Sequence, residues 1–90
     1  MKYVLFYDSA ANVPATAPLH YPAHRAHIDA FHARGTLLLV GTFADPQVNG
    51  SMAIFTSQEA AEEFATDDPF VRAGVVRHWH VRPWNEILST

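Results

Sequence analysis

His24 and the two adjacent carboxylates of Asp67-Asp68 are the residues of this 90-residue chain best suited to moving a proton. Imidazole changes charge between pH 5 and 8 unaided. A neighbouring carboxylate selects its tautomer and stabilises the imidazolium, the arrangement a general base or proton shuttle requires. Each partner also has a plainer reading. A histidine on the inner face of a helix is commonly a packing residue whose nitrogen caps a backbone group. An Asp before Pro, as in Asp67-Asp68-Pro69-Phe70, commonly starts a turn, its side chain bonding the amides just ahead. Spacing does not separate Asp67 from Asp68 as the partner of His24.

The elements that must bring these groups together are short. Tyr3 to Tyr7, β-branched and aromatic, reads as a strand. Ser9 to Leu19 carries Pro14 and Pro18 and reads as a loop, long enough to serve as a lid. Pro22 suits a first helical turn, and the helix runs from Ala23 to Arg34, where Gly35 stops it. His24, Ile28 and Phe31 share one stripe of that helix, which points His24 inward. Thr36 to Phe43 and Ser51 to Thr56 are strands joined by 44–50. Ser57 caps a second helix, with Glu59 and Glu62-Glu63 near its positive end. That helix ends near Thr66, since Pro69 disfavours helical geometry just before it. Gly74 turns the chain into a last strand, Val75 to Arg82.

The order β-α-β-β-α-β over residues 1–90 is one domain of the α+β class. It is the pattern of a ferredoxin-like sandwich with an antiparallel four-stranded sheet. With the first strand running upward, its upper rim gathers Asp8, the 9–19 segment, His24, Gly41-Thr42, the 44–50 connection and Asp68. His24 and Asp68 are therefore the candidate catalytic pair, with Asp8, Gly41 and Thr42 as candidate substrate contacts. The middle strands are apolar on both faces: Leu37, Leu39 and Phe43 alternate with Leu38 and Val40, and Ala53 and Phe55 with Met52 and Ile54. Two helices cover one face, so a second copy of the sheet is the economical cover for the other, making a homodimer.

Composition narrows the function. Apolar residues make up 49% of the chain and its formal net charge is -3. The six Lys and Arg are scattered, without the basic stripe that nucleic acid needs. Absence of cysteine removes disulfides, thiolate nucleophiles and Cys-based metal sites. The opening Met1 to Asp8 is too short an apolar run for a signal peptide, and no segment reaches membrane-spanning length, so a cytoplasmic protein is expected. His20, His24 and His27 could place imidazoles on one side of a helix, but Pro22 reads as setting His20 ahead of it. His78 and His80 share a strand face opposite Trp79 and Val81. No metal site is expected from either set.

Tyr21-Pro22-Ala23-His24, Phe31-His32-Ala33-Arg34-Gly35 and Leu37-Leu38-Leu39-Val40-Gly41 resemble the YciI-like (YCII-related) family. So do Ser57 with Glu59-Ala60-Ala61, then Asp67-Asp68-Pro69-Phe70 and Ala73-Gly74-Val75; the likeness runs through nearly the whole chain. It implies a dimeric ferredoxin-like α/β barrel, an active-site pair matching His24 and Asp68, a small-molecule ligand and no cofactor. The family's best-understood chemistry is cofactor-free elimination of chloride from a chlorinated hydroxyquinol, and related barrels isomerise lactones. Two positions depart from the pattern. Tyr21 stands where many relatives carry Arg, and Gly41-Thr42 where many carry Gly-Pro. The leading expectation is a small lyase or isomerase; the alternative is a non-catalytic binding or accessory module.

Overall fold

Strand β1 (Lys2–Ser9) is the centre of the architecture. It pairs antiparallel with β3 (Ser51–Phe55) on one side and β4 (Val76–Trp84) on the other, and β3 pairs with β2 (Leu37–Thr42). The sheet order is β2-β3-β1-β4. The computed structural model describes residues 1–90. Helix α1 (Val13–Ala33) joins β1 to β2, a single turn α2 (Pro46–Asn49) joins β2 to β3, and α3 (Gln58–Asp67) with α4 (Pro69–Arg72) joins β3 to β4. Leu5, Tyr7, Ala53 and Phe55 face the helices and pack with Phe31 and Phe64 in the core. Their neighbours Val4, Phe6, Met52 and Ile54 point to the other face, because side chains alternate along a strand. The ferredoxin-like α+β fold is the one the element order implies.

Helix α1 begins well ahead of the expected start, and the 9–19 segment is mostly helix rather than a loop. Pro14 falls in the first turn, where a missing N–H costs nothing. Pro18 and Pro22 lie inside the helix. At four-residue spacing the three prolines share one exposed line, so the lost hydrogen bonds fall on the water side. The new N-terminus is held from outside. Asn12, in a left-handed conformation, offers its carbonyl to the amides of Ala15 and Thr16. Gln47 of α2 accepts from the Val13 amide at 2.8 Å and donates to the Ala10 carbonyl at 2.7 Å. His20 therefore lies within the helix, and Pro22 does not begin it.

The second departure is a bulge in β2. Leu37 pairs with Phe55, but Leu39 pairs with Ile54 and Val40 with Ala53, so one residue is inserted near Leu38. A bulge of this kind reverses the facing of the residues beyond it. Val40 and Thr42 thereby join Leu37 on the helix side, and Leu39 and Gly41 turn outward. Simple alternation along 36–43 gives the opposite assignment.

Elsewhere the expected signals act as read. Ser57 Oγ accepts from the Ala60 amide at 3.1 Å, and Gly35 ends α1 at φ +82°. No helix is long and apolar enough to cross a membrane.

Gly50 sets the upper rim of the sheet. Its φ of 74° and ψ of -150° belong to a region essentially reserved for glycine. A Cβ there would overlap the Tyr7 carbonyl oxygen. Gly41, by contrast, has open space where a Cβ would go. Gly50→Ala is expected to lower stability by about 3 kcal/mol or more, from backbone strain plus overlap, and Gly41→Ala by under about 0.5 kcal/mol. Thermal unfolding of both variants checks this; equal melting temperatures would mean that β3 can start without the close approach to β1.

Candidate functional site: a buried carboxylate linked to His24

Asp68 breaks the chain between α3 and α4. Its backbone is extended, at φ -67° and ψ 125°, as a residue before proline requires. Pro69 then opens α4, and Asp68 Oδ1 caps that turn by accepting from the Phe70 amide at 3.0 Å. The turn reading of Asp68 is therefore correct, and the pairing reading is correct as well. The same Oδ1 lies 2.7 Å from His24 Nδ1, and Oδ2 accepts from the Tyr7 hydroxyl at 2.6 Å. Asp68 has no exposed surface and His24 is 8% exposed. Asp67 is excluded as the partner, since it is exposed and pairs with Arg72 at 3.1 Å.

The carboxylate can only accept, so His24 donates Nδ1–H and leaves the lone pair on Nε2. No buried side-chain nitrogen or oxygen lacks a partner. Nε2 takes part in none of the fold's hydrogen bonds, so it must be reachable from outside, and His24 does line the adjoining cleft. Phe70 lies flat on the imidazole, with ring centroids 3.8 Å apart and planes 5° apart. Asp-Pro-Phe thus clamps His24 twice, by carboxylate on its edge and by an aromatic ring on its face.

Tyr7 is the member that sequence reasoning missed. It lies mid-strand among apolar neighbours and reads as core. The available signal was its period-two position with Tyr3 and Leu5, which puts its hydroxyl on the helix side near the upper rim. Burial pushes the Tyr7 phenol far above its ordinary value, and the negative charge of Asp68 and the hydrogen bond to it add to the effect.

The cleft beside His24 has a volume of about 540 Å³ and is mainly apolar. It runs between α1 and β2, with Tyr21, Ile28, Val40 and Phe70 among its walls. Gly41 and Thr42 line it as well. Asp8 is placed elsewhere: the pleat turns it to the other face of the sheet, with Oδ2 3.5 Å from His78 Nδ1. His27 Nε2 donates to the Phe64 carbonyl at 2.8 Å and so ties α1 to α3. His80 stacks on Phe6, with centroids 5.1 Å apart. Nowhere do three or more His, Cys, Asp or Glu side chains converge as a metal-binding group.

The fold and this site define a small α+β domain with a carboxylate-oriented imidazole on the wall of an apolar cleft. The YCII-related domain matches residues 1–85, and the chain belongs to that family. The YciI proteins of Escherichia coli O6:H1 and Shigella flexneri are each 33% identical to it over 98 aligned residues, spanning 98% of this chain and all of the relative. Among solved structures, 5-chloro-2-hydroxyhydroquinone dehydrochlorinase from Burkholderia phenoliruptrix AC1100 matches with a TM-score of 0.74 over 94% of each chain, at 21% identity. That structure is a complex with 2,5-dihydroxybenzoquinone. At this identity the likeness is one of fold.

The alkaline limb of stability tests the Tyr7–Asp68 link. In the unfolded chain a tyrosine ionises near pH 10.0, whereas folded Tyr7 holds its proton well above that. Below pH 10 both states are protonated and the contribution is constant. Above it the unfolded state alone loses the proton, so stability falls by up to about 1.4 kcal/mol per pH unit. Tyr7→Phe is expected to remove this component and to cost about 1–3 kcal/mol at pH 8, because Asp68 loses a donor. Urea unfolding at pH 8, 10 and 11 measures both; parallel pH dependence in the two proteins would count against the link.

Proposed function

We propose that this chain is a small acid–base enzyme of lyase or isomerase type that needs no cofactor and acts on a small hydroxylated or carbonyl-bearing molecule. One observation carries the reading: His24 has Nδ1 locked to a buried carboxylate and Nε2 free at an apolar cleft. In this reading Nε2 takes a proton from the substrate. The bond to hydrogen breaks, its electron pair stays on the substrate, and the imidazolium is stabilised by Asp68. In an elimination that electron pair forms a new double bond as the leaving group departs with its own pair. In an isomerisation the proton returns at a different atom.

Asp68 and Tyr7 are positioning residues here, since neither needs to touch the substrate. Thr42, and the backbone at Gly41, are the proposed ligand contacts on the β2 side. The fold neighbour's substrate, a chlorinated hydroxyhydroquinone, supplies the first compound to try. A general base of this kind typically contributes 10² to 10⁴ in rate, about 3–5 kcal/mol. His24→Ala is accordingly expected to reduce chloride release from 5-chloro-2-hydroxyhydroquinone at least about 100-fold with circular dichroism unchanged. Release at the wild-type rate would move the chemistry off His24. Ligand capture without turnover, insensitive to Asp68→Asn, would favour the accessory-module reading instead.

The proposal includes a homodimer. Phe6, Met52 and Ile54 face away from both helices and are only partly buried, and Leu39, paired with Ile54, is 66% exposed. A second copy laid on this face would bury an apolar surface that no element of the chain covers. Light scattering is expected to give twice the 10.0 kDa chain mass, and Ile54→Lys to halve it. A wild-type monomer at micromolar concentration would overturn this part.

A further inference from the structure

A void of about 20 Å³ adjoins the cleft, between the sheet and α1. Tyr7, His24 and Ser51 are the residues with polar side chains in its lining, and Val40, Ala53 and Phe64 help close it. Its size suits one oxygen-scale group, since about 10–15 Å³ is enough for a single water. Ser51 lines both this void and the cleft. It sits in one row with the site, paired with Tyr7 across β1 and with Thr42 across β2. Direct partners across antiparallel strands project on the same face, so Ser51 shares the helix side with Tyr7. Its hydroxyl enters none of the fold's side-chain hydrogen bonds, yet no buried polar side-chain atom is unpaired. The Ser51 hydroxyl is therefore an accessible, uncommitted donor on a residue that lines both the void and the cleft. Gly50 holds it there, since only a glycine allows β3 to begin so close to the Tyr7 backbone.

We propose that Ser51 and this void form an oxygen-binding nook, in which the Ser51 hydroxyl donates a hydrogen bond to the substrate oxygen whose proton passes to His24 Nε2. The inference rests on the acid–base reading and narrows its substrate class to phenols and enols. The ligand O–H bond breaks and its electron pair stays on oxygen as phenolate or enolate. A new N–H bond forms on His24, and the positive charge is matched by Asp68. No electron leaves the ligand, so no oxidant is involved. The nook is too small for a substituted oxygen, so an ether at the same position is excluded. Tyr7 does not serve as the donor, because its proton is already given to Asp68.

The probe is 4-nitrocatechol, whose absorbance reports its ionisation, titrated into wild type, Ser51→Ala and Ser51→Thr. Wild type is expected to bind it as the phenolate. Ser51→Ala should bind about 10- to 100-fold more weakly, the range for a lost hydrogen bond to a charged group, with the bound spectrum shifted towards the protonated form. Ser51→Thr keeps a hydroxyl on a strand-compatible residue and should stay within about threefold of wild type. The doubly methylated ether of the probe should not bind. Unchanged affinity and spectrum in Ser51→Ala, with tight binding by wild type, would overturn the nook and leave the acid–base reading standing. Failure of wild type to bind 4-nitrocatechol at millimolar concentration would overturn the narrowing to phenols and enols, while the acid–base reading stands or falls on the His24→Ala turnover test.

Discussion

The buried carboxylate of Asp68 is the constraint around which the rest is arranged. An ionised carboxylate without solvent is expensive unless its oxygens are fully hydrogen-bonded. Asp68 receives three donors, and each comes from a different element: the Tyr7 hydroxyl from the sheet, His24 Nδ1–H from α1, and the Phe70 amide from α4. The three elements can satisfy the carboxylate only when docked together. A stability requirement and a site geometry are thus the same set of hydrogen bonds. Removing one donor leaves part of a charged group unsatisfied, which costs more than the bond itself was worth.

That requirement explains why the placement of α1 is controlled from both ends. Gln47 and Asn12 hold its N-terminus, and His27 ties it to α3 through the Phe64 carbonyl. His24 lies between these anchors, so its ring is fixed by backbone position and by the flat contact with Phe70 as well as by Asp68. The carbonyls freed by the prolines of α1 lie together on its exposed side, where water can reach them. On the sheet, the β2 bulge and the unusual backbone of Gly50 bring Thr42 and Ser51 to the helix side. The cleft is thus walled by regular secondary structure on both flanks, which fixes the positions of the side chains that line it.

Much of the site was legible because its residues obey local rules. The stripe of His24, Ile28 and Phe31 predicts an inward histidine whether the helix begins at Val13 or at Pro22. The Asp-Pro step predicts an extended residue at a helix boundary whatever packs against it. Topology then carries both to one rim, because a βαββαβ chain with antiparallel strands has little freedom in which ends meet. The choice of Asp68 over Asp67 was not legible. The two differ by one backbone position, and only the docking of α3 on the sheet sends one inward and the other to Arg72. Tyr7 was illegible for a related reason, since a tyrosine in a central strand needs no polar partner until a carboxylate is packed opposite.

The amino-acid sequence alone determined the element order, the fold class, the caps at Ser57 and Gly35 and the rim on which His24 and Asp68 meet. These follow from periodicity, backbone preferences and chain connectivity, which act over a few residues at a time. The tertiary structure alone decided that α1 starts at Val13, since the clamp from Gln47 comes from a segment remote in the chain. It also decided that Asp8 faces away from the cleft and Ser51 towards the helices, by plain alternation from Tyr7 and its cross-strand partner, while Thr42 faces the helices because a bulge in β2 shifted its register. Above all it decided that Asp68 is fully buried with three donors, since desolvation is a property of the packed whole and no short stretch of sequence encodes it.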